Sequence, residues 1–278
     1  MREILAGNIA RYRKGLGLTQ EALAERLGIT FQAVSKWETG QTMPDTALLT
    51  TLAHALNVSV DKLLGYSAFA SDVSFYEDRY KEKDYFWGVK PNRTCLKVIE
   101  LLPPDKPLKL LDIGCGEGKD AVFFARCGYD VSAFDISEAG LDKAKRLAEK
   151  AKVNVRLFRA NMWDYRLDEK YDIIYSSGVL HYIKHELRDE IIQNYKTNIN
   201  DGGIAALHVF VDKPFVAPAP DGGLHYLWKS GQLFTYFHDW RMDVCEEYIF
   251  NCNSTGVPHR HAANRMIARN LGVSVHGN

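Results

Sequence analysis

The sequence has no long apolar run, no excess of charge of either sign and no paired cysteines. Nothing approaches the roughly 18 consecutive apolar residues that a membrane helix needs. The first helical pattern carries Arg2, Glu3, Arg11, Arg13 and Lys14, unlike a secretory signal. A cytoplasmic protein with no membrane partner is expected. Lys and Arg number 35, as do Asp and Glu, which excludes a polybasic membrane binder and a chain that holds nucleic acid by bulk charge. Cys95, Cys115, Cys127, Cys245 and Cys252 form an odd set with no CxxC pair. Neither a disulfide framework nor a metal site is signalled, and reduced, mostly buried thiols are expected. No internal repeat or low-complexity tract is visible. With 46% hydrophobic and 25% charged residues over 278 positions, the prior is two globular domains, one with a substantial core.

Residues 4–65 are dense in short helical patterns. Ile4, Ile9 and Tyr12 begin one apolar stripe, which Gly15-Leu16-Gly17-Leu18 breaks. Thr19 then stands as the cap of a helix over Gln20 to Leu27, with Ala22, Leu23 and Leu27 inward. Gly28-Ile29-Thr30 is a tight turn in which Gly28 supplies a helix end and Thr30 caps a third helix, Phe31 to Glu38. Asp45 to Leu56 and Val60 to Leu64 supply two more helices. Two short helices joined by a three-residue glycine turn are the helix-turn-helix signature.

The stretch LTQEALAERLGITFQAVSKWETGQTMPDTALLTTLAHALNVSVDKLLG at 18–65 closely resembles the Cro/C1-type (XRE) DNA-binding domain. The resemblance implies double-stranded DNA as a partner, with the third helix in the major groove. Phe31, Gln32, Ser35 and Lys36 become base-edge candidates and Gln20 a phosphate contact; Val34 and Trp37 read as core anchors. Residues 1–65 carry seven Lys/Arg against six Asp/Glu, a net of +1. That is low for a monomer whose affinity rests on phosphate neutralisation, and a homodimer on paired half-sites would double the contacts. The residues also leave open a helix-turn-helix kept for protein interaction.

From Tyr66 to Pro91 the helical signal weakens and rings crowd together: Tyr66, Phe69, Phe75, Tyr76, Tyr80, Tyr85, Phe86 and Trp87. A hinge at 65–72 and then a segment packed on the second domain are expected. Its rings either complete a core or, at Tyr85 and Trp87, cover a ligand. A helix over 93–102 stops at Pro103-Pro104. Strand patterns at 108–114, 130–135, 153–159, 171–176 and 203–211 then alternate with helix patterns at 118–127, 138–151 and 185–199. This predicts a mostly parallel sheet with helices on both faces. The patterns at 241–252 and 259–269, joined by Asn253-Ser254-Thr255-Gly256, read as an antiparallel edge pair. The expected architecture is an all-α helix-turn-helix domain at 1–65, an aromatic linker or lid at 66–91, and an α/β Rossmann-like domain at 92–278.

LLDIGCGEG at 110–118 is a buried strand running into a glycine loop that opens a helix. Glycine is needed where backbone turns sharply and approaches a ligand with no Cβ in the way. A dinucleotide loop reads GxGxxG, whereas here the glycines fall at 114, 116 and 118, and Lys119 stands where a third would be. Asp135 ends the next strand, 23 residues after Asp112, where a carboxylate can accept both ribose hydroxyls of an adenosine. With Asn161-Met162-Trp163-Asp164 after the third strand, residues 92–272 resemble the class I S-adenosylmethionine-dependent methyltransferases. The resemblance implies S-adenosyl-L-methionine as cofactor. Gly114, Gly116 and Gly118 would lie against its methionyl part, Asp135 would hold the ribose, and Asn161, Met162 and Asp164 would face the adenine. Asp112, Ile136, Ser177 and Trp87 complete the cofactor-binding set.

The fourth strand runs on as YDIIYSSGVLHY at 171–182 and ends at the carboxyl edge of the sheet, where the reacting centre should lie. Methyltransferases of exocyclic base amines carry Asp/Asn-Pro-Pro-aromatic here, and cytosine C5 enzymes need a Pro-Cys pair. This chain has Ser-Ser-Gly-Val and no Pro-Cys, so DNA methylation is not expected. GCGEGKDAVFFARCGYDVSAFDIS, KSGQLFTYFHDWRM and GVPHRHAANRMIAR resemble the TehB-like methyltransferases of tellurite resistance. That implies a small acceptor, an oxyanion, thiol or similar nucleophile, with His181, Tyr182, His259 and Arg260 as catalytic candidates. His225, Tyr226 and His261 lie nearby in sequence, while Ala262 falls where an arginine is expected. A transcriptional regulator whose second domain senses S-adenosylmethionine without turnover reads from the same loop and Asp135.

Overall fold

The computed structural model describes residues 2–64, 70–217, 226–254 and 256–272. The chain divides into two compact units, Met1–Ser71 and Asp72–Asn278. The first part of the expected hinge, 65–69, with Tyr66 and Phe69, lies outside the described residues, as does His225.

The first unit is helical: α1 (Arg2–Gly15), α2 (Gln20–Leu27), α3 (Phe31–Glu38), a 3₁₀ turn at Thr46–Leu48, α4 (Leu49–Ala55) and α5 (Val60–Leu64). The Thr19 hydroxyl accepts the Ala22 N–H at 3.1 Å, and α2 ends at Gly28 with φ 65°, so both signals act as expected. Thr30 occupies the cap position of α3 but makes no side-chain cap bond. Ile4 is 52% exposed, and the core position falls to Leu5. Leu5 and Ile9 are four apart and share a helix face, whereas Ile4 and Ile9 do not. Leu5, Ile9, Leu23, Val34, Trp37 and Leu52 form the core of this unit. Arg13 joins Glu38 at 2.5 Å, and the Gln20 amide donates to the same carboxylate at 2.8 Å, so one ion-pair network ties α1, α2 and α3.

The second unit contains most of α6 (Ala70–Lys81) and then α7 (Arg93–Leu101), β1 (Lys109–Ile113), α8 (Lys119–Arg126), β2 (Asp130–Asp135), α9 (Glu138–Ala151) and β3 (Arg156–Arg159). There follow β4 (Tyr171–Ser177), α10 (Arg188–Thr197), β5 (Ile199–Val211), α11 (Gln232–Thr235), β6 (Arg241–Cys252) and β7 (His259–Arg269). The sheet order is β3-β2-β1-β4-β5-β7-β6, parallel except where β7 pairs with β5 and β6. Apolar clusters cover both faces, one around Leu111, Ile174 and Trp228, the other around Leu110, Ile173 and Phe124. Each fully buried aliphatic chain contributes about 1.5–3 kcal/mol.

Two expectations are corrected. A helix, α6, occupies the weakly periodic stretch, and its hold on distant residues is given below. The last two strands have the expected bounds and form the expected antiparallel pair at the edge of the sheet, with β6 outermost. The five cysteines are free, yet only Cys95 is buried and Cys245 is exposed.

Candidate active site

Strand β1 lies between β2 and β4, so connections leave it toward opposite sides of the sheet and open a crevice at the strands' carboxyl ends. The glycine loop fills that edge. Gly114, Gly116 and Gly118 have φ of 70°, 53° and 81°, a region L side chains avoid. A Cβ on Gly114 would fall 2.6 Å from Val179, and one on Gly118 2.5 Å from the Ala144 Cβ of α9. These two glycines therefore serve the protein's own packing as well as the turn. A Cβ on Gly116 would instead meet the Tyr80 hydroxyl at 2.9 Å, so α6 stands directly over the loop.

Asp135 ends β2 with one oxygen accepting the Gly116 N–H at 2.8 Å and the other the Ser137 N–H at 2.9 Å. The Ile136 N–H also acts on this carboxylate. Burial raises the pKa of this carboxyl, while the backbone N–H donors oppose the shift. Asp112 is buried within β1, and burial followed by the nearby Asp120 pushes its carboxyl well up.

Helix α6 is fastened by Glu77. This carboxylate accepts the Ser137 hydroxyl at 2.5 Å and the Ala139 N–H at 3.1 Å, at the start of α9. That anchoring brings four rings together. Tyr76 stacks on Tyr80 at 5.8 Å between centroids, lies 6.0 Å from Trp87 and meets Tyr182 edge-on at 6.2 Å. The Trp87 indole N–H donates to the Tyr80 hydroxyl at 2.9 Å, and the Tyr182 hydroxyl donates to that of Tyr76 at 3.1 Å. Trp87 is the outermost ring, 41% exposed.

Glu117, inside the glycine loop, fixes the chain that carries Trp87. Its two oxygens accept the Phe86 and Trp87 N–H groups at 3.1 Å each, and Lys143 pairs with it at 2.8 Å in a fully buried ion pair. The Tyr85 hydroxyl donates to the Lys143 carbonyl at 3.2 Å. Tyr85 thus grips α9, and neither Glu117 nor Lys143 stands out in the sequence as more than loop and helix surface.

The other expected residues fall around this edge. The Asn161 side chain accepts the Trp163 N–H at 3.0 Å, and the Trp163 indole donates to the Tyr182 carbonyl at 2.8 Å. Met162 packs half-buried on the core, Asp164 is exposed, and the Ile136 carbonyl accepts Arg159 Nε at 2.9 Å. The Ser177 hydroxyl accepts the Asn92 amide at 3.0 Å. Gln20, in the first unit, has its amide engaged by Glu38, while Phe31, Gln32 and Lys36 are exposed and Ser35 half-buried along α3.

Beyond β4 a second group of rings begins. His181 is buried, 4.3 Å from Tyr182 and stacked on Phe210 at 4.7 Å. Phe210 also stacks on His261 at 4.7 Å, and His259 Nε2 lies 2.9 Å from His261 Nε2. Arg260 is exposed, and strand alternation turns it to the face opposite His259 and His261. The sequence reading missed His208. Register places it opposite Ser177, its Nδ1 lies 3.9 Å from where a Gly178 Cβ would be, and burial lowers its pKa to about 4. A neutral imidazole therefore stands at the end of β4.

The strand order, the glycine loop ending β1 and the acid ending β2 together make this unit a Rossmann-like fold of the S-adenosylmethionine-dependent methyltransferase class. Residues 76–264 match the family described as Tellurite resistance protein TehB, and the chain belongs to that family. Residues 9–63 match the helix-turn-helix family. A probable S-adenosyl-L-methionine-dependent methyltransferase TehB of Haemophilus influenzae is 30% identical over 165 residues, covering 58% of this chain and 56% of the relative. The chain thus spans about half the length of the curated relatives it matches. The crystal structure of TehB from Haemophilus influenzae superposes with a TM-score of 0.59 at 22% identity, over 71% of this chain and 66% of that one. The N-methyltransferase NodS from Bradyrhizobium japonicum, solved with S-adenosyl-L-homocysteine, gives 0.51 at 14% identity, over 72% and 98%. Among the described residues no helix is long and apolar enough to cross a membrane.

Proposed function

We propose that the second unit transfers a methyl group from S-adenosylmethionine to a small nucleophile, an oxyanion, a thiol or a related anion. The observation that carries this reading is the group of rings Tyr76, Tyr80, Trp87 and Tyr182 gathered over the glycine loop beside Asp135. When bound, S-adenosylmethionine supplies a methyl on a cationic sulfonium, whose C–S bond breaks as the acceptor's lone pair takes the carbon, leaving a neutral thioether. The ring faces suit a sulfonium, because a cation is attracted to the aromatic quadrupole and the rings displace water. Asp135, at the end of β2, accepts the ribose hydroxyls, and the chain about Asn161, Met162 and Asp164 borders the adenine end. His181, Tyr182 and the neutral His208 line the way to the acceptor. Such transfer needs little proton chemistry when the acceptor is already anionic, so positioning is their main task. His259 stands one ring further out, and Arg260 is left with a surface role.

The first unit, in the same reading, binds duplex DNA through Phe31, Gln32, Ser35 and Lys36, with Gln20 orienting Glu38, and does so as a homodimer on paired half-sites. It brings the enzyme to DNA or couples its state to transcription. The test is methyl-labelled S-adenosylmethionine offered to thiols, selenite, tellurite, small amines and duplex DNA. The reading predicts label in one of the small acceptors and none in DNA. Cofactor binding with no transfer to any of them would instead identify a regulator that senses the cofactor.

A further inference from the structure

The hairpin β6–β7 brings together three side chains that the sequence keeps apart. Cys252 and His259 are register partners across the pair, and His261 follows two residues on, on the same face of β7. One donor atom from each, the cysteine Sγ and a nitrogen of either ring, lies within 4.8 Å of the others. The absence of a CxxC pair hid this cluster, because the antiparallel register assembles it.

The nitrogen geometry is informative. His259 Nδ1 is 2.7 Å from the Val257 carbonyl, which can only accept, so in the neutral ring Nδ1 carries the proton and Nε2 presents a lone pair. That lone pair points at His261 Nε2, 2.9 Å away. Two imidazole nitrogens can face each other at this distance only with a proton, or a cation, between them. A carbonyl holding Nδ1–H is the usual way a metal-binding histidine is oriented. The His261 ring is held by its stack on Phe210, within 8° of parallel. Ser254 Oγ lies 3.2 Å from Cys252 Sγ, close enough to donate to a thiolate.

We infer that Cys252, His259 and His261 form a binding site for a zinc-class divalent cation, with the fourth coordination position open to a soft anionic donor such as a thiolate. The donor set is borderline-soft, two nitrogens and one sulfur, which favours zinc over magnesium or calcium. Tetrahedral zinc needs its donors roughly 3.3–3.8 Å apart, given bond lengths of about 2.0–2.3 Å. The two imidazole nitrogens, 2.9 Å apart, sit just short of that range and the thiol lies within 4.8 Å, so a small opening between the rings admits the ion. Three protein ligands and one open position are the pattern of sites at which a metal holds a reacting ligand. The Phe210 ring stacks on both His261 and His181, at 4.7 Å from each.

The test uses the tag-free full chain, titrated with zinc against a chromophoric chelator and, separately, with cobalt. One equivalent of zinc per chain is expected, with affinity lowered at least about tenfold in Cys252→Ser and in His259→Ala. The cobalt protein should show tetrahedral d–d bands and a thiolate charge-transfer band that disappears in Cys252→Ser, persists in Cys245→Ser, and shifts on adding a small thiol. Circular dichroism and the unfolding midpoint establish that each variant is folded. Zinc affinity unchanged in both folded variants, or no binding that competes with the chelator, would overturn the site. Cobalt bands unmoved by thiol would overturn the open position.

Discussion

One carboxylate oxygen of Glu117 accepts the backbone N–H of Trp87 at 3.1 Å. An acid inside the glycine loop thereby sets the position of the outermost ring over that loop, and the fully buried Lys143 balances its charge. The loop and its aromatic cover are one construction.

Glu117→Ala should therefore destabilise the second unit by about 3–5 kcal/mol, the cost of leaving one member of a buried ion pair without its partner. Thermal unfolding reads the loss. The double variant Glu117→Leu with Lys143→Met should recover most of that stability, because an apolar pair needs no counter-charge. It should still lose affinity for S-adenosylmethionine, because the Phe86 and Trp87 amides have lost their acceptor. A double variant no more stable than Glu117→Ala would show that the ion pair is not what holds this segment.

Asp135→Ala should weaken S-adenosylmethionine and S-adenosylhomocysteine alike, by about 1.5–3 kcal/mol, the scale of hydrogen bonds to a charged group. The two ligands differ only at sulfur. Calorimetric titration checks this, and unchanged affinity for both would remove the ribose assignment.

Much of this arrangement was legible because local rules and tertiary demand agree. The Thr19 cap and the Gly28 turn mark the ends of α2, and the spacing from Asp112 to Asp135 marks the run from β1 through the glycine loop to the end of β2. The misses share a cause, dependence on residues far away in the chain. Helix α6 has poor periodicity and contains Ser, Asp and three aromatic residues, yet Glu77 binds the start of α9, 60 positions on. His208 reads as one polar residue in an apolar strand, and only the β4–β5 register brings it to Gly178. The loop pattern marks its glycines as ligand-facing, whereas Gly114 and Gly118 also answer to Val179 and Ala144, neighbours no local pattern reveals.

On the DNA side, Gln32→Ala and Lys36→Ala should lower specific duplex affinity while leaving cofactor binding unchanged, and binding should fall as salt rises. Selection from random duplexes should return a motif. No enrichment would favour a protein-interaction role for the first unit.

Acid should loosen that unit through Glu38. Burial pushes its pKa up, but the hydrogen bonds from Arg13 and Gln20 outweigh burial, and the folded value lies below the ordinary one. The unfolded chain then takes up the proton first, so the stabilisation is full above about pH 4.5 and is lost as pH falls through the folded pKa. Amide exchange of residues 2–64 in the full chain, corrected for its intrinsic rate, should quicken below about pH 4. Glu38→Gln should weaken protection at neutral pH and flatten this dependence. Identical profiles for the two proteins would exclude Glu38 as the source.

The central claim is that the rings over the glycine loop receive the sulfonium, and paired titrations of Tyr76→Ala with S-adenosylmethionine and S-adenosylhomocysteine test it most directly. The two ligands share every group except the methyl and its positive charge. A cation–π contribution of about 1–2 kcal/mol predicts a loss of roughly five- to thirtyfold for the sulfonium and little change for the thioether, with Tyr76→Phe restoring most of it. Equal losses for both ligands, or none for either, would contradict the assignment of these rings to the methyl donor.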